Sequence, residues 1–304
     1  MENRNFLQYA VITLKGMAMG AADVVPGVSG GTIAFISGIY EELITSINNV
    51  DLSLFKTWKK NGFQSAWRQL NGNFLAALFL GIFISLFSLA TLVSWLLENE
   101  PILLWSFFFG LVAASVIFVG KEIKVWNAGT IISLIIGAVV AYYITTLPPS
   151  GNTDSLPYMF FSGALAVCAM ILPGISGAFI LVLLGSYKTV LDAVHERNIA
   201  IVAVVGAGAI FGLLSFAKLL KWMFNNYKNI TLAVLTGFIL GSLNKIWPWK
   251  RVLETQTIGE KIIIIDENVS PTAFEGDNQF IYALIAAIIG FSLIFILERT
   301  AAKK

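Results

Sequence analysis

The residues best suited to chemistry sit in two short runs, Pro26-Gly27-Val28-Ser29-Gly30-Gly31-Thr32 and Pro173-Gly174-Ile175-Ser176-Gly177. A Pro-Gly pair cannot continue a helix, so each run marks a helix break. The helix that restarts after a break exposes about four unpaired N–H groups. Those groups and the helix dipole favour an anion. Ser29 and Ser176, at or near the N-cap, either cap the new helix or offer a hydroxyl to a ligand. Gly27, Gly30, Gly31, Gly174 and Gly177 let backbone or ligand approach with no Cβ in the way. Two such termini facing each other would cradle a phosphate or carboxylate without a buried Arg. The competing reading is plain packing, because Gly and Ser are also common where membrane helices lie close together.

Charged and phenolic residues flank the runs. Asp23 lies three residues before the first break, and its roles are substrate contact, proton carrier, partner of Lys15, or cap for the N–H groups of the break. Met170 holds the equivalent place in the second run. Glu41, Glu42, Lys188 and Asp192 read as solvated hairpin mouths or as gating and proton-handling groups. Tyr40 and Tyr187 read as interface anchors or headgroup contacts. An enzyme is not expected. The single His, His195, sits beside Glu196 and Arg197 away from both runs, and neither Ser has a His or Lys at helical spacing to activate it. Zinc-ligand spacing, Walker A and GxGxxG fingerprints are lacking, so no metal or cofactor is expected, and energy would come from an ion gradient, the membrane potential or the substrate's own gradient.

The elements that must hold these runs lie in a membrane. The chain of 304 residues is 57% hydrophobic and only 12% charged, with a mean hydropathy of +0.79, whereas soluble domains carry about 25% charged residues. A net charge of +2 and the lack of a basic aromatic patch speak against a nucleic-acid partner. Cys168 is the one cysteine, so there is no disulfide framework. The N-terminus, with Arg4 and Lys15, does not read as a cleavable signal peptide.

Six stretches are long enough to span, at 74–97, 102–120, 129–147, 199–217, 230–247 and 279–297. The twelve residues from Ser29 to Tyr40 would make only about 18 Å of helix, so hairpins 8–47 and 157–194 read as re-entrant. Laying 16–47 on 163–194 at an offset of 147 gives nine identities in 32 positions, among them Gly16/Gly163, Ser29/Ser176, Gly38/Gly185 and Tyr40/Tyr187. Gly81 with Gly206, Trp95 with Trp222, Gly110 with Gly237, and Ser115 with Ser242 extend the match at offsets of 125 to 127. The expectation is an all-α polytopic membrane protein of two repeats, 1–147 and 148–304, each a hairpin plus three spans. Three spans are an odd number of crossings, so the second repeat would be inverted.

Loop charge gives the same topology independently. With the N-terminus inside, Arg4, Lys15, the loop 48–73, Lys121, Lys124, Lys218, Lys221, Lys228, Arg299, Lys303 and Lys304 put 14 of 20 basic residues on the cytoplasmic side. The outer loop 248–278 is acidic, and Ile262–Ile265 within it suits a small surface hairpin or strand. Trp95, Trp105, Trp126, Trp222, Trp247 and Trp249 read as an interfacial belt.

The run from Gly16 to Thr32, with Gly38-Ile39-Tyr40-Glu41 after it, resembles the signature of the bacterial domain-of-unknown-function 368 membrane family. Leu172-Pro173-Gly174-Ile175-Ser176-Gly177 with Gly185-Ser186-Tyr187 is similar to its second copy, and the resemblance covers essentially the whole chain. It implies a polyprenyl-phosphate transporter that returns undecaprenyl phosphate from the outer to the inner leaflet of the cytoplasmic membrane. Phosphate would bind at residues 26–32 and 173–177, with Asp23 a coupling candidate and protons or another ion as coupling partner. The alternatives are an ion-coupled transporter of a small soluble anion and a non-transporting membrane scaffold.

Overall fold

Asn5 starts the first helix: its side chain accepts from the Gln8 N–H, and Gln8 returns the bond to the Asn5 N–H. The chain then winds through α1 (Phe6–Val24), α2 (Gly30–Ile36) and α3 (Tyr40–Asn48). The computed structural model describes residues 4–25, 28–148, 155–258 and 261–301, without the side chains of 90, 254–265 and 296–301. Pro26 and Gly27 therefore lie outside the described residues, as do Lys303 and Lys304.

The stretch from Ser29 to Tyr40 is not one arm but two pieces, because α2 has only seven residues. Gly38 takes φ +73°, and the Gly38 and Ile39 N–H groups close back on the Phe35 and Ala34 carbonyls. That is a Schellman stop, which needs a residue at ease in the left-handed region. Gly185 does the same at φ +65° between α10 (Gly177–Leu183) and α11 (Tyr187–His195), where the chain bends by 108°. Both segments double back. Arg4 grips Glu42 through two bonds of 2.6 and 2.7 Å, and Lys15 Nζ donates to the Ser37 carbonyl at 2.6 Å. Across the other segment, Tyr158 donates to the Leu184 carbonyl and Ser162 bonds Ser186, both at 2.7 Å.

The stretch 48–73, expected as a loop, contains two short helices, α4 (Leu52–Asn61) and α5 (Phe63–Leu70). Asp51 caps α4 through the Ser53 and Leu54 N–H groups, and the Ser53 hydroxyl together with those bonds holds its carboxyl below the usual carboxylate range. Four long apolar helices are described: α6 (Gly72–Asn99), α7 (Pro101–Glu122), α8 (Ala128–Thr146) and α12 (Ile199–Ser242). Two further apolar helices are α9 (Leu156–Ile171) and α13 (Phe280–Ala301). The expected spans at 199–217 and 230–247 are joined in α12. Its 44 residues would reach about 66 Å if straight, twice a bilayer core. Tyr227, at φ −138° and ψ 48°, breaks it into two arms. Residues 250–258 and 261–268 form an antiparallel hairpin, β1 and β2, so the chain is mostly rather than wholly helical.

Glycines set the packing. A Cβ on Gly16 would strike the Leu78 carbonyl, and one on Gly81 the Thr13 carbonyl, where α1 meets α6. Gly163 and Gly208 stand in the same way against Val205 and Phe160, where α9 meets α12. Gly110 and Gly290 join α7 to α13, while Gly137 and Gly237 join α8 to the second arm of α12. Backbones this close gain dispersion contacts along both helices, the main force available between helices in lipid. Gly206, by contrast, faces open space.

Contacts also sort the two ends. Arg4 to Glu42, Lys228 to Glu41 (2.7 Å), Lys124 N–H to Asn229 (2.8 Å) and Lys121 over the Phe295 ring gather at one end. At the other end Trp247 and Trp249 pack together, and Trp249 stacks on Phe280.

Candidate functional site

The two breaks meet. Gly20, near the end of α1, faces Ile82 and Ser85 of α6, and Cys168 of α9 reaches the Gly212 carbonyl of α12 at 3.6 Å. These contacts lie five or six residues before the breaks and about 15–20 Å along α6 and the first arm of α12, each about 42 Å long, so both breaks fall within the length of those helices rather than at their near ends. The Gly174 N–H donates to Thr32 Oγ1 at 2.9 Å, which ties the second break to the first. Ser29 Oγ accepts from the Gly31 N–H at 3.1 Å and lies 3.3–3.4 Å from the Met170 and Leu172 carbonyls. Tyr40 donates to the Ile171 carbonyl at 3.2 Å. Residues from the first hairpin thus satisfy the loose carbonyls at the end of α9, which would otherwise be buried without partners.

Gly174 is the position where side-chain size decides most. Its φ is +92°, and a Cβ there would meet the Ser242 side chain and the Phe238 carbonyl. Gly30 and Gly31 are as tight: an added Cβ would fall 2.6 Å from the Asp23 carboxylate and 2.7 Å from the Ile171 carbonyl.

The termini of α2 and α10 differ. Asp23 Oδ1 accepts the Gly30 N–H at 2.7 Å, so a carboxylate already fills the start of α2, which Ser29 also caps. Of the roles open to Asp23, capping is the one that the hydrogen bonds display. Ser176 makes no such cap on α10. Val28, Ser29 and Thr32 are each 1% exposed, and Gly30, Gly31, Pro173, Gly174 and Ile175 are buried, so the junction is shut. Ser176 and Gly177 are half-buried. Each helix after a break has seven residues, about two turns, so the local N–H groups and hydroxyls matter more than the dipole.

The flanking candidates scatter. Tyr40 is no interface anchor: it is 2% exposed, edge-on to Phe35 and Phe224. Lys15 Nζ reaches the carboxyl end of α2 at the Ser37 carbonyl. Glu41 pairs with Lys228 at the basic end, whereas Tyr187 is half-buried and Lys188 exposed at the start of α11. The carbonyls of Met170, Ile171 and Leu172 and the hydroxyl of Ser242 complete the junction. No sequence signal marks a backbone carbonyl as a partner. Among the described residues no three metal-binding side chains come together.

Residues 19–262 match the family described as VCA0040-like, undecaprenyl phosphate translocase-like. The chain belongs to that family. A polyprenyl-phosphate transporter of Vibrio cholerae serotype O1 is 46% identical over 303 residues, covering 98% of each chain. A polyprenyl-phosphate transporter of Staphylococcus aureus is 32% identical over 256 residues, 77% of this chain and 85% of the relative. Both translocase-family relatives are named as transporters rather than enzymes. No solved structure gives a significant match.

Proposed function

We propose that this protein transports a polyprenyl phosphate, returning undecaprenyl phosphate from the outer to the inner leaflet of the cytoplasmic membrane. The observation that carries the reading is the junction of two anion-suited breaks within the helical body, in a chain 46% identical to a protein named for that substrate. A phosphate needs a polar place to cross hydrocarbon while its prenyl tail stays in lipid. Residues 26–32 and 173–177 would supply it with backbone N–H groups and the Ser29, Thr32 and Ser176 hydroxyls. The uncapped and less buried start of α10 would engage the phosphate first. Asp23 would then leave the Gly30 N–H, because two anions repel across so short a gap. Protonation of Asp23 would remove that repulsion, which makes it the coupling residue of this reading.

Two inverted repeats, 1–147 and 148–304, belong to the same proposal, with paired re-entrant hairpins. Matched packing supports them. Shifts of 147 and 127 residues turn the Gly16–Leu78 and Gly81–Thr13 contacts into Gly163–Val205 and Gly208–Phe160. Shifts of 127 and 153 turn Gly110–Ala287 into Gly237–Leu134 and Phe107–Gly290 into Val234–Gly137, with the halves exchanged. The basic end would be cytoplasmic, with both termini there. The Arg4–Glu42 and Glu41–Lys228 pairs would part to release the headgroup, and Tyr187 and Lys188 would guard the other mouth.

Thermal unfolding of the purified chain tests the substrate. Undecaprenyl phosphate should raise the midpoint, whereas the parent polyprenol and inorganic phosphate should not. Equal stabilisation by inorganic phosphate would instead favour a soluble anion, and no shift with any ligand would favour a scaffold.

A further inference from the structure

Lys245 follows α12 and Lys250 opens β1, and the fold turns both ammonium groups toward one carboxylate, Asp266 on β2. Their side chains are 23% and 12% exposed, and that of Asp266 is 18% exposed. Two half-buried cations against one half-buried anion leave a net positive charge, which is costly where water is scarce. The pairing is loose as well. Lys245 stands 3.8 Å and Lys250 3.4 Å from Asp266, longer than the 2.7–2.9 Å of a charge-assisted hydrogen bond. Asp266 therefore counters the two charges from long range and takes up at most part of their donors. Lys250 spends one donor on the Lys245 carbonyl at 2.8 Å.

Aromatic faces hold the rest of the cluster. Lys250 sits 4.5 Å from the Trp105 ring centroid, and Lys245 sits 5.5 Å from that of Phe179. Phe179 lies in the first turn of α10, two residues after Gly177, so the cluster touches the hairpin that carries the second break. It occupies the aromatic end of the molecule, opposite the Arg4–Glu42 end. Burial also pushes the Lys250 ammonium down to about 8, against the opposing attraction of Asp266.

We propose that Lys245 and Lys250 receive a phosphate monoester at the aromatic end before it reaches the breaks. A phosphate bears about −1.5 to −2 and three acceptor oxygens, enough to bridge two ammonium groups that Asp266 serves only partly. Trp105 and Phe179 would flank the first carbons of an attached chain. The inference rests on the lipid-phosphate reading above, and the test separates the two.

The experiment measures binding of radiolabelled farnesyl phosphate to the full chain in detergent, with farnesol and inorganic phosphate as competitors. Lys245→Gln with Lys250→Gln should weaken binding about tenfold or more, since hydrogen bonds to charged groups are lost. Asp266→Asn, which keeps both lysines and removes the competing anion, should tighten it. Competition by inorganic phosphate would mark recognition of the phosphate alone, and its failure to compete would mark a lipid headgroup. Wild-type affinity in the double Gln variant, or unchanged or weaker affinity in Asp266→Asn, overturns the reception site. If Ser29→Ala with Ser176→Ala abolishes binding at the same time, the transport reading still stands. Absence of wild-type binding overturns the reception site outright.

Discussion

Asp23 accepts the N–H that a phosphate would need, and its neighbours decide what removing its charge does. An Asn side chain still offers a carbonyl to the Gly30 N–H, so Asp23→Asn should fold with a nearly unchanged thermal midpoint. Transport by that variant should no longer respond to a pH gradient; a full response would clear Asp23 of coupling. Thr32 has the opposite profile. Its hydroxyl is the acceptor for the buried Gly174 N–H, and Thr32→Val should lower stability by about 1–3 kcal/mol in denaturant unfolding. Thr32→Ser should restore most of it, and equal midpoints for Val and Thr would mean the two breaks are not tied there. Lys250 gives a pH signature. Because burial lowers its folded value to about 8 from 10.5, the unfolded chain holds a proton there that the folded chain has released. Stability should therefore rise with pH between those values, with the full cost of the buried ammonium present below about 8. Lys250→Gln should flatten that rise in a pH series of melts. At this scale the sequence made the breaks legible through Pro-Gly, and capping by Asp23 was one of its readings. Tyr40 was not legible, since its partner is a carbonyl 131 residues away.

Helix ends and helix faces were legible to different degrees. The long apolar runs announced α6, α7 and α8 within a few residues of their observed ends. The second stop in each hairpin was hidden, although Gly38 and Gly185 stood among the repeated residues, because an isolated glycine between apolar runs marks a Schellman stop or a packing contact equally well. The helices α4 and α5 were hidden for another reason: at ten and eight residues, with three Lys in α4 and little buried in either, they lack the long periodic pattern of a span. Of the two glycines at 206 and 208, only Gly208 faces α9. That difference is testable. Gly208→Leu drives a side chain into the Phe160 carbonyl and should cut the yield of folded protein sharply, as judged by size-exclusion profiles. Gly206→Leu points into open space and should leave the yield near wild type. Equal damage from both would mean that α9 and α12 do not pack as described.

Viewed whole, the molecule separates a basic end from an aromatic end and brings its two breaks together between them. The charge asymmetry was readable from the loops alone, and Arg4, Glu41, Lys124 and Lys228 now meet through contacts that join distant segments. How tightly the breaks interlock was not readable, because the interlock depends on hydroxyl-to-backbone bonds between the halves. An arrangement of this kind moves a headgroup only if the interlock opens, so the strongest test follows the lipid itself. The full chain is reconstituted in liposomes with undecaprenyl phosphate in one leaflet, and its appearance in the other leaflet is followed with and without a pH gradient. The account predicts transfer that requires the protein and falls at least about tenfold in Ser29→Ala with Ser176→Ala, a loss of about 1.4 kcal/mol or more in barrier stabilisation. Gly174→Leu, which fills the junction, should abolish it while insertion persists. Transfer at the wild-type rate in the double Ser variant and in Gly174→Leu would contradict the account, because the phosphate would then be crossing somewhere other than the two breaks.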